Sequence, residues 1–274
     1  MKKHFLLFAS MIALVSIFVS CNNEPKNPAE QKTPLPDSVM VYNIAADKSE
    51  TLSQTMYYTY DELGNMICQL NCSIMKKNID STKIEMKYNS KGNVTEKMYS
   101  VYDLFSNHWR DDQLLIYKYD EKDRLAQYSI YNLELGDTAQ SPPIRKCIYS
   151  WSDGTHAEVL FYNPGAKDAN GEINWRLVYR AEYTLNVHGN VEKGVIYDYH
   201  FVTNGELSYM IENTYDQYNN LLLHKTLDDK GVITLQEEYQ YEYDDTGKKL
   251  VMWYSKSDSD AAPGEPIQKY VYCY

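Results

Sequence analysis

Along most of this chain apolar and polar residues alternate over short stretches, and each stretch ends on an aromatic. Counting back in twos from that aromatic gives Tyr60, Tyr58, Met56; Tyr88, Met86, Ile84; Tyr119, Tyr117, Leu115; Trp151, Tyr149, Cys147; Tyr183, Ala181, Tyr179; Tyr215, Asn213, Ile211; and Tyr243, Tyr241, Tyr239. The residues just before the anchors are Thr59, Lys87, Lys118, Ser150, Glu182, Thr214 and Glu242. Successive side chains of a strand point to opposite faces. The pattern therefore predicts strands with an aromatic column on one face and water on the other.

After the anchor the texture changes to turn residues, as in Asp61-Glu62-Leu63-Gly64-Asn65, Asn89-Ser90-Lys91-Gly92-Asn93 and Asp244-Asp245-Thr246-Gly247-Lys248. Gly and Asn supply positive φ at little steric cost, so these segments read as hairpin turns. A second strand follows each turn: Met66 to Cys72, Val94 to Val101, Leu125 to Tyr131, Ala157 to Tyr162, Val191 to Phe201, Leu221 to Leu227 and Leu250 to Ser255. Return connections such as 163–171, 203–205 and 228–231 are longer and more variable, so one sheet edge carries uniform turns and the other longer loops.

Successive anchors lie 28 to 32 positions apart, with Tyr272 opening an eighth copy. A period of that size marks a repeat architecture. Adding a leading strand near Val39 to Asn43 and a terminal one near Gln268 to Tyr274, the expected fold is all-β: an antiparallel meander of about 16 strands built from repeated hairpins. An open twisted sheet of that many strands curls, splits or closes. A rolled or closed single sheet with the aromatics inside is expected, and tyrosine in place of leucine implies either a wet interior or partnered hydroxyls.

Residues 1–20 read as a leader, with Lys2 and Lys3 before an apolar run from Phe5 to Val19. The run is short for a membrane span of about 20 residues. Ile17-Phe18-Val19-Ser20-Cys21 resembles the lipobox of bacterial lipoproteins, which implies cleavage before Cys21 and its acylation. Residues 21–37, with Pro25, Pro28, Pro34 and Pro36 among polar neighbours, read as the lipidated cysteine and an extended, disordered tether. The repeat domain then occupies residues 38–274. A lipid anchor would hold it at a membrane surface without a spanning helix, and the expected address is the bacterial cell envelope, as an outer-membrane lipoprotein.

The recurring Tyr-x-Tyr-Asp-x-x-Gly-Asn texture resembles the YD repeat of Rhs-type secreted shell proteins, and is similar to repetitive Bacteroidetes lipoproteins of unknown function. The resemblance spans about residues 40 to 274. It implies strands joined in one long sheet that walls a cavity. This chain is much shorter than those shells and shows neither an autoproteolytic core segment nor an appended toxin domain.

Charge narrows the partners. The chain carries 27 basic and 38 acidic residues, and removing Lys2 and Lys3 with the leader takes the net charge from −11 to about −13. That balance opposes nucleic acid, whose phosphates demand a basic face, and opposes electrostatic docking on anionic lipid. An outer-membrane barrel is suggested by the strand count and by Tyr270, Tyr272 and Tyr274. It requires uniformly apolar lipid-facing columns, whereas Glu85, Glu96, Lys97, Glu237 and Glu238 put charge on both faces.

Catalytic chemistry is sparse. The six histidines form no metal-binding pair and the cysteines no Cys-x-x-Cys, so no zinc site and no cofactor are expected. Asp168-Ala169-Asn170-Gly171-Glu172 echoes the start of a calcium loop without its later ligands, and reads better as a hairpin loop. The acid pairs Asp111/Asp112 and Asp244/Asp245 read as turn residues rather than a glycosidase pair. With Cys21 assigned to lipid, Cys68 and Cys72 lie about 13 Å apart along one strand and cannot bridge each other. The four cysteines 68, 72, 147 and 273 are either in a long-range disulfide or buried thiols. Trp109-Arg110 and Trp175-Arg176, where long loops enter strands, are the candidate ligand-binding residues, for a glycan or peptide; Trp253 lies mid-strand. The expectation is a non-enzymatic, lipid-anchored interaction module with an envelope protein or glycan as partner, the alternative being a glycan-capture or accessory carbohydrate-processing protein.

Overall fold

The computed structural model describes residues 35–75, 78–133, 142–200, 202–258 and 263–274. Sixteen strands follow one another: β1 Ser38–Ile44, β2 Glu50–Tyr60, β3 Met66–Met75, β4 Asn78–Tyr88, β5 Val94–Asp103, β6 His108–Tyr119, β7 Leu125–Asn132, β8 Arg145–Trp151, β9 His156–Lys167, β10 Ile173–Leu185, β11 Val191–Asp198, β12 Glu206–Tyr215, β13 Leu221–Leu227, β14 Ile233–Tyr243, β15 Lys249–Ser257 and β16 Gln268–Cys273. Each pairs antiparallel with its neighbours in sequence, and β1 pairs with β16, so the meander closes into a barrel. The expected all-β closed sheet is the observed one. The lipobox, Cys21 and most of the tether lie outside the described residues. The tether's last residues do not hang free as expected: Asp37 N donates to Cys273 O at 2.8 Å, and Tyr58 N donates to Asp37 O at 2.9 Å.

The alternation sorts the faces as the sequence implied. Register carries the anchor column around the interior, through pairs such as Ile84 with Tyr99, Tyr117 with Tyr128 and Cys147 with Phe161. The residues beside the anchors face outward, where Lys87 pairs with Glu96 at 2.7 Å, Arg180 with Glu158 at 2.6 Å and Lys269 with Glu50 at 3.0 Å. Glu85 and Glu238 share this outward face, whereas Lys97 and Glu237 point inward, opposite Met86 and His224. Charge on the outward face of most strands leaves no continuous apolar band for lipid.

Short hairpins share one turn. In the first, Asp61 N donates to Asn65 O at 2.9 Å, Gly64 N donates to Asp61 O at 3.0 Å, and the Asp61 carboxylate accepts from the backbone N–H groups of Leu63 and Asn65. Asn89, Asp120, Asn186, Asp216 and Asp244 repeat that arrangement. The fourth turn residue is left-handed, as expected for Gly92 at φ 83° and Gly247 at φ 80°; Asp123 and Asn219 adopt the same region at 60° and 65°. Such a turn is followed by a bulge, and the register slips by one residue at its end in all six hairpins.

Three expectations need correction. The fourth short connection, Ser152 to Thr155, lacks a left-handed residue, Gly154 included, because Asp153 instead caps the N–H groups of Thr155 and His156. In the fifth hairpin Leu185, not Tyr183, pairs across the turn, with Val191. The two edges are also less different than predicted. Asp168 and Asp228 open turns of the same design on the long-loop edge, so Asp168 is committed to the N–H groups of Asn170 and Glu172.

Between hairpins the strand ladder stops short of the turn edge, and an aromatic closes each gap. Beyond Cys68 with Glu85, β3 and β4 no longer pair, and the Tyr88 hydroxyl donates to Met66 O at 2.6 Å. Tyr119 reaches Val94 O at 2.7 Å, the Trp151 indole N–H reaches Leu125 O at 2.8 Å, Tyr215 reaches Val191 O at 2.7 Å, Tyr241 reaches Leu221 O at 2.9 Å and Tyr274 reaches Lys249 O at 2.7 Å. These hydrogen bonds let several tyrosines point inward.

Two predictions follow from this geometry. Tyr119→Phe should cost about 1 kcal/mol through the lost hydrogen bond, and Tyr119→Ala about 3–5 kcal/mol. Lys118→Ala should stay within about 0.5 kcal/mol; denaturant midpoints measure all three, and equal effects at 118 and 119 would reverse the faces. The second concerns the opening residue of the turn. Asn65 and Asn220 donate their amides to Asp61 and Asp216, but after Asn89 the buried Asn93 amide nitrogen has no partner. Asn89→Asp should therefore raise stability by about 1 kcal/mol, read as a higher melting temperature.

Candidate functional site

A sixteen-stranded barrel is wide enough to leave an aqueous interior unless side chains fill it. Here the two halves differ. Between β5 and β12 a dry cluster forms around Tyr128 at 2 %, Val159 and Cys147 at 0 % exposure, with Tyr99, Tyr119, Tyr179 and Tyr209 partly buried against it. From β13 round to β2 the inward tyrosines 58, 60, 239, 241, 243, 254, 270 and 272 all keep contact with solvent, while the smaller Val39 and Val41 beneath them are covered. The tyrosines are thus the top layer of a half-open wall, and this wall is the candidate functional site.

Polar groups are set into it at defined points. Glu237 on β14 is 9 % exposed and accepts from the Tyr254 hydroxyl at 2.6 Å. Across β13, buried His224 meets Asn213 Oδ1 at 2.7 Å through Nδ1 and Thr226 Oγ1 at 3.3 Å through Nε2, so one ring nitrogen donates and the other accepts. Burial lowers the His224 pKa from its ordinary 6.5, with the charge of Glu237 opposing. Nearer the turn edge the Lys249 ammonium lies 4.8 Å from the Tyr241 ring and 5.3 Å from Tyr272, its pKa lowered by burial and partly restored by Asp216. Burial also pushes the hydroxyls of Tyr58 and Tyr60 up to about 12, so both are neutral hydrogen-bonding groups. Toward the long loops the wall turns to amides: Tyr270 donates to Gln268 Oε1 at 2.9 Å, and the Gln69 amide donates to Asn71 Oδ1 at 2.7 Å.

The residues singled out from sequence lie elsewhere. Trp109 on β6 and Trp175 on β10 sit on the outward face near the long-loop edge, four strands apart, and no common site unites them. Trp109 packs edge-on against Tyr102 at 5.3 Å under the Lys83 ammonium, and Trp175 lies under Lys146 at 4.5 Å. Arg110 is exposed, and Arg176 donates to His200 O. Trp253 lines a recess of about 400 Å³ with Ile44, Ala45 and Ile267. Cys68, Cys72, Cys147 and Cys273 are all free thiols, with Cys147 buried beside Tyr128 and raised to about 12 by that burial. Asp111 belongs to a strand, not a turn, and accepts from Ser100 Oγ at 2.8 Å. Among the described residues no cluster of three His, Cys, Asp or Glu side chains could hold a metal.

The polar wall missed by the sequence reading has a retrospective signal. Asn213 and Lys249 fall at inward positions where most other hairpins carry apolar or aromatic residues, whereas at the Glu237 position several carry polar ones, such as Gln54, Thr82 and Gln113. Because His224 is held neutral by burial, protonation opposes folding. Stability should be full above the unfolded-state value near 6.5 and fall as pH drops below it toward the depressed folded value. Denaturant midpoints between pH 5 and 7.5 should show this slope, and His224→Gln should flatten it.

The chain matches no family model and no curated protein. Among solved structures it is similar to a porin-like protein from Bacteroides uniformis, with 10 % identity over 88 % of this chain and 97 % of that one at a TM-score of 0.37. It is also similar to a protein of unknown function from Bacteroides fragilis, with 10 % identity over 64 % and 91 % of the two chains at 0.27. A third likeness is to the TcdB2-TccC3 complex, with 10 % identity over 81 % of this chain and 15 % of that one at 0.28.

Proposed function

We propose that this protein is a non-enzymatic binding module of the bacterial cell envelope, held at a membrane by lipid on Cys21, that captures a small ligand against the inner wall of its barrel. One observation carries the reading: from β13 round to β2 all eight inward tyrosines are only partly buried, whereas Tyr117, Tyr128, Tyr149 and Tyr183 in the other half are buried. Large aromatic rings with fixed polar groups between them make a surface suited to recognition. The hydroxyl of Thr226 does meet the His224 ring at 3.3 Å, but both residues are buried between the strands, so the pair is not presented to a substrate. Envelope residence rests on the leader and the lipobox-like Ser20-Cys21. A glycan on Trp109 or Trp175 is the less favoured reading, since each ring already carries a lysine on its face.

The two halves of the proposal separate experimentally. Cys21→Ser should move the protein from the membrane to the soluble fraction of its host, and retention in the membrane would refute the anchor. A thermal-shift screen of the full chain against envelope metabolites and sugars should give saturable stabilisation that Tyr272→Ala abolishes and Trp175→Ala leaves intact. Loss on Trp175→Ala alone would transfer the function to the outer face.

A further inference from the structure

The inner wall holds a buried carboxylate with no cation beside it among the described residues. Glu237 sits mid-strand on β14, buried but for 9 % of its surface, and among the described residues no cation lies within ion-pair distance of it. Its neighbours account for this. Tyr254 donates to the carboxylate at 2.6 Å, but a hydroxyl leaves the formal charge in place. His224, opposite on β13, has both ring nitrogens engaged by Asn213 and Thr226. Lys256, opposite on β15, turns its ammonium to Asp258 at 3.3 Å. Burying an uncompensated carboxylate is unfavourable, and a cation brought from outside would relieve it.

The surroundings suit an organic cation better than a hydrated metal ion. Tyr239 and Tyr254 pack with ring centroids 5.4 Å apart and planes tilted by 42°, beside the carboxylate that the Tyr254 hydroxyl reaches. Tyr270, next on β16, is close enough that the charge of Glu237 adds to the effect of burial in raising its hydroxyl. All three rings are only partly buried. Aromatic faces attract desolvated ammonium groups, whereas magnesium or calcium would ask for several more oxygen ligands. The same wall already shows the principle, since Lys249 rests its own ammonium between Tyr241 and Tyr272.

We propose that Glu237, Tyr239, Tyr254 and Tyr270 form a binding site for an organic ammonium ion, with the carboxylate as counter-ion and the three rings as its cage. This deepens the binding-module reading and rests on it.

Isothermal titration of the full chain tests it, with tetramethylammonium and n-butylammonium chloride as probes, sodium chloride as the ionic control and glucose as the neutral one. Saturable binding of at least one ammonium is expected, weakened roughly tenfold or more by Glu237→Gln and also by Tyr270→Leu. Glu237→Gln keeps the volume and the acceptor for Tyr254, and its melting temperature checks that it folds. If it does not, Tyr270→Leu carries the test. Ammonium binding unchanged in the folded Glu237→Gln variant, or in Tyr270→Leu, would overturn the site. Glucose binding without ammonium binding would overturn it too while sparing the broader reading, and failure of every probe together with an empty metabolite screen would remove both.

Discussion

The barrel depends on one hydrogen bond repeated around its turn edge: an aromatic side chain donates its polar tip to the first carbonyl of the preceding return strand. The need arises from the turn. A left-handed fourth residue tightens each hairpin but slips its register by one, so the strand that leaves the turn cannot pair fully with the next hairpin. A carbonyl left unpaired there would cost about 1–3 kcal/mol. The side chain must reach across a strand spacing of about 4.8 Å and end in a donor, which leaves tyrosine and tryptophan as fits. Phenylalanine has the reach without the donor, and serine the donor without the reach.

One seam shows the rule by its exception. Between β9 and β10 the ladder runs through to Thr184 with His156, and Leu185 N continues it to Thr155 O at 2.7 Å. No carbonyl is orphaned, and leucine stands at the anchor position. The short connection from Ser152 to Thr155, which has no left-handed residue, is what lets this ladder continue. Turn type and anchor chemistry are therefore two expressions of a single constraint, and the period of 28 to 32 residues is the length of chain between successive uses of it.

That constraint also decides how much could be read from sequence. Face assignment and strand number were legible because a buried column must alternate with a wet one, and Lys87 beside Tyr88 or Lys118 beside Tyr119 leaves one choice of face. Closure was legible only as a tendency; which edges meet depends on Val39 with Tyr272 and Val41 with Tyr270, partners more than 200 residues apart. The functional wall was the least legible part. Tyrosine appears at the anchor position of most hairpins for a structural reason, which hides the tyrosines that are also partly exposed. Trp109 and Trp175 drew attention as rare aromatics, yet each is occupied by a lysine from two strands away, a relation no single strand reveals.

Where the chain enters the barrel bears on how the wall could be used. Pro36 O accepts from the Tyr60 hydroxyl at 2.9 Å, so the end of the tether supplies to β2 the carbonyl that a preceding hairpin supplies elsewhere. Asp37, bonded to both β2 and β16, stands at the seam that closes the ring. The N-terminal segment thus joins at the turn edge, where aromatic tips are engaged by backbone and the interior is most tightly stitched. The long-loop edge is the opposite mouth. By register the amides Asn43 and Gln268 stand level with Tyr254 and Tyr239, Gln69 level with Tyr58, and Glu237 two residues nearer that mouth, so the anchors that hold the barrel together lie at the far end.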